Sequence, residues 1–292
     1  MAMPAADTTT NMRLELPDDH CSGRTVASTR RPSGFVRADA PIADAVVQCA
    51  VLVGWFVAYL LLRGAVEGTH QTATRNASEV MRIEAMLGID LERPLNERVA
   101  QGPHQLAAIA SFIYKWGYWM LVITALVLCW LRSRHRWYVV LRNGLLASTV
   151  VGLIIFWSLP VAPPRAMPGF VDLVNGAKVH LGQRPPGGTN VYAAMPSFHA
   201  GWSVAAATIA GWTMSSTVAR RALWLAGAIM TPVVIVTANH YVLDVLVGIA
   251  ITVFCVIAAQ RRHLRQVLAG GITATTTRPP RRTPTSTGSA PA

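Results

Sequence analysis

The sequence predicts an all-α, polytopic membrane protein, a bundle of six transmembrane helices with amphipathic helices on its outer side. Three observations carry this prediction. Of 292 residues, 52% are hydrophobic and only 14% are charged, where a soluble domain carries about a quarter charged. Apolar stretches close to the ~20 residues that span a bilayer recur at 44–62, 113–131, 142–160, 198–214, 222–239 and 241–259. The formal net charge is +12, and the arginines gather between those stretches. A nucleic-acid binder would spread such an excess over a solvated surface, so no nucleic-acid partner is expected.

Taken in order, residues 1–42 are polar, rich in Ala, Thr, Pro and Asp. They lack the apolar core of a cleaved signal peptide and read as a disordered cytoplasmic tail. The membrane domain is expected over 43–265. Residues 266–292 end in low-complexity Thr, Pro and Arg and read as a second, basic, disordered tail. The short connections 132–141 and 215–221 carry Arg132, Arg134, Arg136, Arg220 and Arg221, and Arg261, Arg262 and Arg265 follow the sixth helix. The positive-inside rule places all three clusters in the cytoplasm, and an even helix count brings both termini there. The expected location is the plasma membrane. Trp130, Trp137, Trp212 and Trp224 near inner helix ends, with Trp116, Trp119, Trp157 and Trp202 near outer ones, fit interfacial belts.

Two longer connections lie outside. In the first, 63–105, Val80, Ile83, Met86 and Leu87, then Leu91, Leu95 and Val99, follow helical amphipathic spacing. That predicts one or two helices lying on the outer surface. The second, 161–197, is long and rich in Pro and Gly, as functional lids or disordered segments are. Cys21, Cys49, Cys129 and Cys255 show no CxxC spacing, so neither a zinc site nor a disulfide framework is expected.

Three short stretches could do chemistry, and the topology brings all three to the outer side: Pro163-Pro164-Arg165, Met195-Pro196-Ser197-Phe198-His199, and Asn239-His240-Tyr241-Val242-Leu243-Asp244. Twelve of the fourteen acids lie at or before Glu97, which leaves Asp172 and Asp244 alone beyond it. Asp244, four residues after His240, shares a helix face with it. A carboxylate inside an apolar span is costly and normally has a partner. The pair is either an oriented nucleophile, its tautomer set by the carboxylate, or a buried pair pinning two helices. His199 sits at a helix start whose free N–H groups favour an anion. It is either a general acid or an interfacial histidine beside an ordinary Ser197 N-cap. Arg165 is either an anion clamp or a snorkelling anchor. Together they supply a nucleophile, its orienter, an acid and a clamp, an inventory suited to phosphoryl transfer through a phosphohistidine without a metal.

At these residues the sequence resembles the type 2 phosphatidic acid phosphatase superfamily of membrane phosphoesterases, most closely its bacterial members grouped with inositol phosphorylceramide synthases. The resemblance covers about 76–260. It rests on Pro160-Val161-Ala162-Pro163-Pro164-Arg165, Met195 to His199, and Thr237-Ala238-Asn239-His240-Tyr241-Val242-Leu243-Asp244 with Gly248. It implies that His240 attacks phosphorus, Asp244 orients it, and His199 protonates the leaving alcohol and then activates water or an acceptor hydroxyl. It also implies that Arg165 and Ser197 bind phosphoryl oxygens. Three positions depart from the family pattern: Ser158 and Val234 stand where it has a lysine and an arginine, and Phe198 replaces a glycine. Lys115, near the outer end of the second helix, is a candidate for one lost cation. Lower positive charge would favour a diester, with about one negative charge, over a monoester.

The expected function is therefore a lipid phosphatase or phosphotransferase acting on a phospholipid or polyprenyl (pyro)phosphate at the outer leaflet. An inositol-phosphate-type head-group transferase is the alternative within that class. The partners are a lipid phosphate substrate and the bilayer, with no cofactor and no metal; the oligomeric state is not readable. Two readings from other classes remain. His199 and His240 could be axial ligands of a haem, or Asp244 could be the relay residue of a transporter.

Overall fold

The computed structural model describes residues 41–65, 68–132, 136–175 and 190–276, with side chains to 267. Met1–Gln48 and Cys49–Ala292 form separate compact units. The described part of the first is helical, with Gln48 Nε2 donating to Asp44 Oδ1 at 3.3 Å; everything below concerns the second. Most of the expected tails, 1–40 and 277–292, and the Pro-Gly centre of the second external loop, 176–189, lie outside the described residues.

The described residues are helical apart from short connections and one isolated bridge between Val161 and Ala193. The helices are α1 (Pro41–Ala65), α2 (His70–Leu87), α3 (Glu92–Gln101), α4 (His104–Phe112), α5 (Tyr118–Arg132), α6 (Arg136–Ser158), α7 (Phe198–Trp212), α8 (Thr217–Val236) and α9 (Val242–Thr276). A π-helical turn, Ile113–Gly117, joins α4 to α5, so His104–Arg132 is one long span. α9 runs on to Thr276, past residue 266, where the second tail is expected to begin.

Five of the helices are long and apolar enough to cross a membrane: α1, the α4–α5 span, α6, α8 and α9. The sixth expected span, α7, has only 15 residues, about 22 Å of helix against a ~30 Å hydrocarbon core. Its environment accounts for the shortness. α7 is the central helix, packed against α5, α6, α8 and α9, and most of its residues are buried. Small residues make that packing close, as in membrane bundles generally. A Cβ on Gly201 would stand 2.4 Å from Gly248 O of α9, and one on Gly227 of α8 would stand 2.6 Å from Ala207 Cβ. Replacing either glycine forces a backbone shift.

The one or two helices expected between the first two spans form, as α2 and α3. Ala73, Ala77, Val80 and Glu84 are buried, whereas Ile83, Met86, Leu87 and Leu91 are exposed. The alanines let α2 lie directly on the chain leaving α6. Ala162 N donates to Ala73 O at 3.1 Å, and Asn76 Nδ2 donates to Pro160 O at 2.8 Å.

Candidate active site

The three chemistry-bearing stretches meet at the end of the bundle where α6 and α8 finish and α7 and α9 begin. Backbone bonds lock them together. Arg165 N donates to Ala238 O at 2.8 Å, Ser197 N to Asp244 O at 2.9 Å, and Val161 N to Tyr192 O at 2.8 Å. α8 closes in a turn with Ala238 at φ 53°, a left-handed conformation that costs a non-glycine residue ~1–2 kcal/mol. The bond from Arg165 N helps hold it. Gly248 is required by the same junction, because a Cβ there would stand 2.2 Å from Ser197 O. Phe198 lays its ring against Gly152 of α6, between Phe156 and Trp202.

The two histidines face each other, ring centroids 5.8 Å apart. His240 Nδ1 lies 2.7 Å from Ala194 O and 3.5 Å from Asp244 Oδ2. A carbonyl only accepts, so Nδ1 donates this bond and Nε2 is the ring nitrogen not committed to it. The nearer orienting group is therefore a loop carbonyl and not Asp244. Asp244 Oδ2 instead accepts from Tyr241 N at 2.9 Å, the backward arm of a capping box. His199 is held by rings: Tyr114, on the π turn, stacks on it at 4.5 Å and 19°, and Tyr118 lies 4.5 Å away on its other contact. The π turn, a feature that recurs at functional sites, brings Tyr114 to that position.

Both histidines line a cavity of about 200 Å³ together with Arg165, Asn239, Arg63, Tyr59, Phe56 and Trp119, among others. That is below the ~300–1,000 Å³ of pockets enclosing a drug-sized ligand, and suits a head group with its chains left outside. Arg165 is steered from two sides, by a hydrogen bond to Asn239 Oδ1 and by Asp172 Oδ2 at 3.7 Å from Nε. Two other expected site residues stand elsewhere. Ser197 does not line the cavity; it is fully buried and its Oγ accepts from Ala200 N as the N-cap of α7. Lys115 is exposed, donates Nζ to Val174 O at 2.9 Å, and does not line the cavity either. Among the described residues no three His, Cys, Asp or Glu side chains are grouped to hold a metal ion.

Behind the site, sequence reasoning missed a pair of acids. The start of α9 receives two external caps: Val242 N donates to Glu92 Oε1 at 2.6 Å, and Leu243 N to Glu84 Oε1 at 2.7 Å. Both carboxyls are buried. Desolvation pushes Glu84 up to about 8, with the nearby charges of Glu92 and Asp244 acting in the same direction and the Leu243 N–H opposing them. Glu92 is likewise raised by burial. Asn96 completes the scaffold: its side chain bonds Val171 N and O and Val236 O, tying the Asp172 loop to the end of α8.

A model of the PAP2 superfamily matches residues 78–258, more than half of the chain. The chain belongs to this superfamily. No curated protein and no solved structure matches it. The PAP2 match spans all three stretches of the site, and with five membrane-length helices it makes this a multi-pass membrane protein of lipid-phosphatase type. α1, with Tyr59 and Arg63, lies wholly outside the PAP2-matched residues.

Proposed function

We propose that this PAP2 protein cleaves a phospholipid or polyprenyl (pyro)phosphate at the outer leaflet of the plasma membrane through a phosphohistidine on His240. The observation that carries the reading is the cavity itself. It holds two facing histidines beside Arg165, one of them bonded through Nδ1 to a loop carbonyl, so that Nε2 is the ring nitrogen left for a substrate. In the first step the Nε2 lone pair attacks phosphorus and the bond from phosphorus to the leaving alcohol oxygen breaks. Protonated His199 gives its proton to that oxygen. In the second, neutral His199 takes a proton from water, the resulting oxygen attacks phosphorus, and the N–P bond breaks to free His240. Arg165 holds the non-bridging oxygens throughout. No metal is required by this sequence of steps. The outer-leaflet assignment rests on the arginine clusters at the opposite ends of the helices.

An acceptor hydroxyl in place of water would make the same site a head-group transferase, of the inositol-phosphate type that the sequence resembles. The experiment incubates the purified protein with labelled phospholipids and polyprenyl phosphates, with and without inositol. Free phosphate indicates hydrolysis, a new phosphorylated alcohol or lipid indicates transfer, and no turnover of any lipid phosphate sinks the reading.

A further inference from the structure

The expected phosphate cage is short of two cations, and the structure gives no route to either from the expected positions. Ser158 Oγ is spent on Ile154 O at 2.9 Å. Val234 is fully buried, and its carbonyl accepts from Asn239 N and His240 N. Lys115 stands outside the cavity. Yet a second guanidinium does line it. Arg63, one turn after Tyr59 on α1, shares the cavity wall with Arg165, His199 and His240.

The surroundings of Arg63 are those of a cation waiting for an anion. Its only hydrogen bond among the described residues is a long one, from a terminal nitrogen to Asn190 O at 3.4 Å. Its Nε is buried without a partner, and its guanidinium sits 6.0 Å from the face of Tyr59. None of the ion pairs found among the described residues gives it a carboxylate. A buried guanidinium donor without an acceptor is costly, and guanidinium matches phosphate with a planar fork of donors. Arg63 and Arg165 thus line the same cavity as His199 and His240, where the phosphoryl group would react.

We propose that Arg63 is the second cation of the phosphate site, a binding residue supplied by α1 from outside the PAP2-matched region. This rests on the phosphoryl-transfer reading above. It also moves the electrostatic balance away from a diester. A second permanent positive charge favours the −1.5 to −2 of a phosphomonoester near neutral pH, even with Asp172 facing Arg165.

Two measurements on the full chain test it, both with inorganic phosphate as the probe. In the first, the wild-type protein is treated with phenylglyoxal, which modifies arginine, and the modified residues are mapped by mass spectrometry. Phosphate is expected to slow modification of Arg63 and Arg165 but not of exposed Arg98. An unprotected Arg63 overturns the proposal, and this arm needs neither a variant nor turnover. In the second, Arg63→Gln is expected to weaken phosphate inhibition roughly 10- to 100-fold, the range for a charge-assisted hydrogen bond, and to lower monoester relative to diester turnover. A snorkelling anchor would not move phosphate inhibition, so an inserted Arg63→Gln protein inhibited as strongly as wild type overturns the proposal. The underlying enzyme reading fails separately, if wild type turns over no lipid phosphate or His240→Ala remains active.

Discussion

α7 and α9 each begin at the candidate site, one histidine in the first turn of α7 and the other in the turn just before α9, but they begin in opposite ways. α7 caps itself: Ser197, immediately before its first residue, accepts from Ala200 N. α9 has Tyr241 in that place, a residue with no side-chain acceptor suited to a cap, and its free N–H groups are satisfied by Glu92 and Glu84, 150 and 159 residues away. The histidines follow the same division. His199 rests against the rings of Tyr114 and Tyr118 and lines the cavity. His240 is bonded at Nδ1 to a loop carbonyl. The tightly bonded start suits a nucleophile that must hold one tautomer and one direction. The loosely held start suits an acid and base that exchanges protons with whatever leaves or enters.

The largest expected effect separates the two starts by chemistry. His240→Ala should lower turnover by about 10⁴-fold or more, as losing a covalent nucleophile does, for every substrate tested. His199→Ala should cost about 10²- to 10⁴-fold on a lipid phosphate, yet much less in the release of p-nitrophenol, whose leaving oxygen needs no proton. Equal losses for both leaving groups would erase the distinction between the histidines. A smaller effect tests the stacking: Tyr114→Ala should reduce kcat ~2- to 10-fold, the worth of an aromatic pair, while Tyr114→Phe stays near wild type. A tenfold loss in Tyr114→Phe would mean that the hydroxyl and not the ring matters.

The smallest effect on turnover, and the most informative on the cap of α9, is expected from Glu84→Gln. Gln keeps an acceptor for Leu243 N but cannot ionise. In the wild type, the folded protein holds a proton on Glu84 up to about pH 8, whereas the unfolded chain releases it near the ordinary 4.5. Between those values the unfolded state binds fewer protons, so stability should fall as pH rises. Melting in detergent from pH 5 to 8 should show that decline in wild type and a flatter profile in Glu84→Gln. Parallel profiles would mean that Glu84 is not the titrating group.

The comparison of helix starts also marks what could be read from the chain alone. The spans were legible because apolar composition and length report the bilayer directly, and Ser197 was legible as a cap because capping by Ser is local. Asp244 stood out as an acid in an apolar run. What escaped shares one property: the partners are distant in sequence or are backbone atoms. Ala194 O has no side-chain signature. Glu84 is one of several acids in a polar stretch, and the contacts of α2 run through small alanines and that glutamate, which carry no apolar signal. Tyr241 at an uncapped helix start was the available signal that caps come from elsewhere. Arg63 closes an apolar run, and nothing local distinguishes a charge at a membrane boundary from a cation turned into a cavity. The shortness of α7 was hidden because its neighbours, and not its own length, keep it from water.

The central claim is that His240 becomes covalently phosphorylated while His199 does not. Purified protein should be mixed with lipid phosphate carrying labelled phosphorus, quenched in base within the first turnover, digested and mapped. Label is expected on the peptide containing His240, lost on acid treatment, absent from His240→Ala and retained in His199→Ala when the leaving group is activated. An active wild-type protein that carries its label on another residue, or carries none in the first turnover, would contradict it.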